Sequence, residues 1–131
     1  MIKYPTVDLL VLANKRVIEE TKVTKAEKHG LLTNKKVLEG IISEMKGAKG
    51  DIFDKAAVLL VGLIQKHPFE SGNRRTAFLE TINFLEVNKV KINIDKGKLL
   101  NVLQGIRERF YTLDEISIWL RTGEVHEFKR E

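Results

Sequence analysis

The chain is 131 residues long, 43% apolar and 31% charged, a balance that excludes a disordered chain and suits one soluble domain with a real core. It has no cysteine, which excludes a disulfide framework and a thiolate metal site, and its three histidines (His29, His67, His126) are too scattered for zinc. The net charge of +5 is spread among interspersed lysines and acids, with no basic block and no nucleic-acid motif, so direct nucleic-acid binding is not expected.

Thr6 is placed to cap a first helix of about 15 residues, with Leu9, Leu12, Ala13 and Val17 on its buried side. Val23 to Thr33 reads as a loop containing His29-Gly30-Leu31-Leu32. Asn34 then caps a second helix whose buried stripe is Val37, Leu38, Ile41, Ile42 and Met45. The run from Lys46 to Asp51 holds two glycines and nothing apolar larger than Ala, so it breaks the chain. A central helix follows, from Ile52 or Asp54 to Lys66. Its stretch from Ala56 to Ile64 is apolar on every side, as a helix in the middle of a domain is.

Beyond the break at Pro68, Phe78, Ile82 and Leu85 recur at i, i+4 and i+7, which marks a helix ending near Glu86 with Asn88 as its stop. Val90 to Ile94 alternates apolar and polar residues and suggests a short extended piece. Asp95 caps the next helix, with Leu99, Leu100, Leu103 and Ile106 as its buried residues. Thr112 and Glu115 form a capping-box pattern for a last helix that buries Ile116 and Trp119 or Leu120 and stops at Gly123. The charged tail 124–131 is expected to fray. Without internal repeats or a second unit, the reading is one all-α domain over 1–131.

The stretch His67-Pro68-Phe69-Glu70-Ser71-Gly72-Asn73-Arg74-Arg75-Thr76-Ala77 joins the two strongest helices. Pro68 disfavours helix at His67 and ends the first near Lys66; Gly72 can take backbone angles closed to other residues, so the second starts near Asn73. That helix start presents unpaired N–H groups, a ready anion site. Arg74 and Arg75 sit in its first turn, where cations oppose the helix dipole by roughly 0.3–1 kcal/mol each. Such a placement makes sense when an anion normally occupies the spot.

The stretch resembles the His-x-Phe-x-acid-Gly-Asn-x-Arg signature of the Fic/Doc (Fido) family, most closely its Doc (death-on-curing) branch, and the similarity runs from about Thr6 to Leu120. The resemblance implies a Fic-fold helical domain with a flap or short hairpin beside the motif helix, here about Gly47 to Phe53, with Gly47, Gly50 and Ile52 in it. It implies that His67 is the base that activates a target hydroxyl, a task that suits an imidazole near pH 7. Phe69 would anchor the loop, Gly72 and Asn73 would cradle phosphate, and Arg74 and Arg75 would bind phosphate oxygens.

Two positions depart from the family pattern. Ser71 stands at the metal position, where the family has an acid that holds magnesium; an uncharged hydroxyl is a weaker ligand for that hard cation. Arg74 stands where AMP-transferring members have Gly and Doc-type members have Lys, and Phe78 replaces the second arginine of the AMP-transferring signature. Both lean toward Doc, hence toward phosphorylation by ATP, with magnesium as the implied companion, of a Ser or Thr hydroxyl on a target protein. In Doc that target is a translation elongation factor, and a separate antitoxin restrains the toxin. The inhibitory Ser/Thr-x-x-x-Glu pattern is incomplete here, with Lys35 before Glu39-Gly40, so an antitoxin is the implied partner. The alternatives are AMP transfer and a lapsed domain that only binds nucleotide or a partner. No apolar run reaches membrane-spanning length and no signal-peptide pattern opens the chain, so a cytoplasmic protein is expected.

Overall fold

Among the described residues six helices follow one another: α1 (Val7–Thr21), α2 (Lys36–Gly47), α3 (Ile52–Lys66), α4 (Asn73–Val87), α5 (Lys96–Arg107) and α6 (Leu113–Thr122). The computed structural model describes residues 1–21, 30–31 and 34–130; most of the loop expected from Val23 to Thr33 lies outside them. Among the described residues there is no strand, only a single antiparallel bridge between Leu31 and Phe69. The all-helical reading holds.

The centre is α3, which packs against α2, α4, α5 and α6. Its start is fixed by a capping box: the Asp51 side chain accepts from the N–H groups of Phe53 and Asp54, and Asp54 accepts from Asp51 N–H. Ala56 and Ala57 are buried and small, so neighbouring helices approach closely, while Leu59, Leu60 and Leu63 are fully buried. Lys55 is also buried; its Nζ donates to the carbonyls of Met45 (3.1 Å) and Ala48 (2.9 Å), which terminates α2 with a cation.

The break after α2 is a plain connection. Gly47 is the last residue of α2 and Ile52 the first of α3, so the hairpin expected over Gly47 to Phe53 is not formed. It would also lie in the wrong place. Fifteen residues of α3, about 22 Å at 1.5 Å per residue, separate that end of the helix from the motif loop. The described backbone that pairs with the motif loop is instead Gly30–Leu31.

Three further expectations change. In α1, Leu9 and Leu12 are 46% and 41% exposed, and the buried face is Leu10, Asn14, Val17 and Ile18. A polar residue in the true stripe disguised it. In α5, Leu100 is 74% exposed, and Val102, Leu103 and Ile106 carry the packing. Residues 90–95 form no ladder; Val90, Ile92 and Ile94 rest half-buried against the core.

The tail does not fray over 124–130. Phe128 N–H donates to Asn101 Oδ1 and Asn101 Nδ2 donates to the Phe128 carbonyl, both at 2.9 Å, while Tyr111 hydroxyl donates to the His126 carbonyl at 2.8 Å. Phe110 stacks edge-on to both Tyr111 and Phe128. Phe128 was hidden among the tail's charges, and its partner Asn101 lies in α5.

Candidate active site

The motif loop is held by local chemistry on each side. Lys66 ends α3 and His67 takes a left-handed conformation (φ 49°, ψ 57°), a position usually left to glycine. Phe69 is fully buried and acts as the expected anchor. The Glu70 N–H donates to the Gly30 carbonyl at 2.9 Å. Gly72 has φ 75°, and a Cβ there would meet Ile18 Cδ1 at 2.9 Å, so α1 closes over a residue that must lack a side chain.

Two asparagines brace the loop. Asn73 Oδ1 accepts from Phe69 N–H (3.0 Å) and its Nδ2 donates to the Phe69 carbonyl (2.9 Å). Its amide is committed to the loop, so the contribution of Asn73 to an anion falls to its backbone N–H. From α1, buried Asn14 donates through Nδ2 to the Ser71 carbonyl (2.8 Å) and to Thr76 Oγ1 (3.2 Å). Asn14 went unnoticed in the sequence, where the visible signal was one polar residue at helical spacing from Leu10, Val17 and Ile18.

These supports open a cleft of about 340 Å³ lined by Ile64, His67, Gly72, Asn73, Arg74, Arg75, Leu100, Leu103 and Arg107. Five of the expected residues, His67 and Gly72 to Arg75, therefore meet at one place. Phe69 stands beneath them, and Gly47, Gly50 and Ile52 stand apart. No side chain caps the first turn of α4 and no acid lies in it, so its N–H groups and three guanidinium groups make the cleft strongly anion-seeking. Arg107 and the two leucines come from α5, which the motif could not have indicated.

Arg74 is oriented rather than loose. Its Nη1 donates to Gln104 Oε1 at 2.8 Å, and Gln104 Nε2 donates to Glu108 at 3.0 Å. Glu108 also accepts from Arg130 of the tail. Hydrogen bonds from Arg130 and Gln104 hold the Glu108 carboxyl below its ordinary value of 4.5. The result is a polar chain running from the cleft along α5 to the tail.

The resemblance implies magnesium, but the donors do not fit it. This ion is held by oxygen ligands, carboxylates foremost, yet among the described residues none that lines the cleft is acidic. Ser71 occupies the acid position, and a side chain on Gly30 would collide with Glu70 Oε1 at 2.8 Å, which places that carboxylate against Gly30. Among the described residues, no group of three His, Asp or Glu side chains could hold a metal ion. The positive charge of this site resides in arginine.

A histidine, three arginines and the start of a helix thus meet at one cleft, an arrangement that favours an anion. Residues 6–85 match the sequence profile of the Fic/DOC family, a span that runs from α1 into α4 and includes the whole motif. The chain belongs to that family. It is also 32% identical over 68 residues to "Toxin Doc" of Mycolicibacterium smegmatis, a match covering 50% of this chain and 52% of that protein. The chain thus spans about half the length of the curated relative it matches. Among the described residues, no helix is long and apolar enough to cross a membrane.

Proposed function

We propose that this chain is a Doc-type toxin that transfers the γ-phosphoryl group of ATP to a Ser or Thr hydroxyl of a target protein. The observation that carries the reading is the meeting of His67 with Arg74, Arg75, Arg107 and the start of α4 in one cleft. His67 takes the proton of the attacking hydroxyl as its oxygen bonds to the γ-phosphorus. The bond from that phosphorus to the β–γ bridging oxygen breaks, and ADP leaves with the electron pair. The arginine forks and the N–H groups of Gly72 to Arg75 hold the phosphate oxygens and stabilise charge as it shifts.

Arg74 lines the cleft at the position where AMP-transferring members have Gly, which supports phosphoryl over AMP transfer. No glutamate among the described residues lines the cleft to block it, which supports restraint by a separate antitoxin. A translation elongation factor is the proposed target class, and the cytoplasm its place of action.

Label transfer in a cell lysate with γ-labelled and α-labelled ATP, with His67→Ala as control, tests this. A protein band labelled only from the γ position and lost in the variant is expected. Label from the α position would replace the reading with AMP transfer. The missing carboxylate favours one other reading, a lapsed domain that binds nucleotide without transfer; it predicts no band in either lane with nucleotide binding intact.

A further inference from the structure

We propose that the cleft takes its nucleotide as the metal-free anion, with Arg107 of α5 supplying charge that a magnesium ion would otherwise bring. This rests on the functional reading above and concerns the form in which the substrate binds. Leu100, Leu103 and Arg107 are spaced at i, i+3 and i+7, so they share one face of α5, and all three line the cleft. Across from them stand Gly72 to Arg75 at the start of α4. The two walls bring three guanidinium groups and a helix N-terminus to one cleft, with no lining carboxylate among the described residues.

That balance decides between the two forms of the ligand. A magnesium ion brought in on the nucleotide would stand beside three cations, with no acidic side chain among the lining residues to offset the repulsion. The free nucleotide carries more negative charge than its magnesium complex, and guanidinium forks pair phosphate oxygens two at a time without needing a metal. Exposed Leu100 adds an apolar surface beside the cations, suited to a base or ribose edge. Arg107 lies beyond residue 85, where the family match ends.

Calorimetric titration of the full chain with ATP, once in excess EDTA and once in excess magnesium chloride, tests the idea. The expected result is binding in EDTA at least as tight as in magnesium. Arg107→Gln is expected to weaken binding in EDTA by about tenfold, the loss of one charge-assisted contact, and Arg107→Lys to recover part of it. A thermal melt of each variant shows whether the fold is intact. Binding that is tenfold tighter with magnesium overturns this inference and leaves the functional reading standing. Metal-free binding that Arg107→Gln does not alter overturns the role given to Arg107. No ATP binding in either buffer overturns both the inference and the reading on which it rests.

Discussion

Asn73 and Phe69 close a ring across the motif loop, the asparagine amide receiving the Phe69 N–H and returning a bond to the Phe69 carbonyl. Both residues are buried, so neither backbone group has water as a substitute partner. Asn73→Ala leaves two buried polar groups unpaired, and about 2–4 kcal/mol of stability should be lost. A thermal melt should show a fall in Tm of roughly 6 °C or more. An unchanged Tm would mean that the loop is held mainly by Phe69 packing.

Asn14 does the same work from another helix. Asn14→Ala removes the donor to the Ser71 carbonyl and to Thr76, at an expected cost of about 1–3 kcal/mol. Asn14→Leu should cost at least as much, although leucine extends the apolar stripe of α1, because the amide donor is lost. Denaturant melts of the two variants provide the comparison, and a leucine variant more stable than wild type would refute the role given to the hydrogen bond.

Regular structure was legible wherever one residue dictated it. Asp95 and Thr112 cap α5 and α6 as read, Gly72 has the positive φ its position demanded, and Asn88 and Gly123 end their helices. Pro68 and Gly72 bracketed the motif loop for the same reason. What could not be read depended on partners distant in sequence. Asn14 is polar because Ser71 needs a donor, and Leu100 is exposed because α5 turns that edge toward the cleft. Arg107 enters the site only through the packing of α5 on α3, and the tail is held by Asn101, 27 residues before Phe128. The hairpin expected over Gly47 to Phe53 is replaced by a plain connection between α2 and α3.

The docked tail gives a direct test. Ending the chain after Val125 removes the paired bonds between Phe128 and Asn101, the Tyr111 bond to the His126 carbonyl and the Phe110–Phe128 ring contact. Three hydrogen bonds and a half-buried ring should together cost about 3–5 kcal/mol, seen as a lower denaturant midpoint. Arg130→Ala removes only a surface ion pair and should leave that midpoint unchanged.

Glu80 predicts a pH dependence. It is buried on α4, and burial raises its pKa above the ordinary 4.5, opposed by the hydrogen bond from Asn83 and the charge of Arg16. The native state therefore holds this proton more tightly than the unfolded chain does. Its stabilising share is full below pH 4.5 and declines as pH rises through the folded pKa. Glu80→Gln keeps an acceptor for Asn83 without the charge, so its Tm should exceed that of wild type at pH 7, with the gain shrinking toward pH 4. A gain of equal size at every pH would show that the ionised carboxylate is not the cause.

His67 holds a backbone conformation that favours glycine, at the very residue proposed as the base. The left-handed region costs a residue with a side chain roughly 1–2 kcal/mol, and strain of this kind persists where function requires the side chain. His67→Gly relieves it, while the greater freedom of unfolded glycine takes back about 0.4–1 kcal/mol. His67→Gly should therefore melt higher than His67→Ala by roughly 0.5–1 kcal/mol, or a few degrees in Tm, while neither transfers phosphate. Equal melting temperatures would mean that the loop relaxes without cost once the imidazole is gone. A glycine variant that still transfers phosphate would remove His67 from the chemistry.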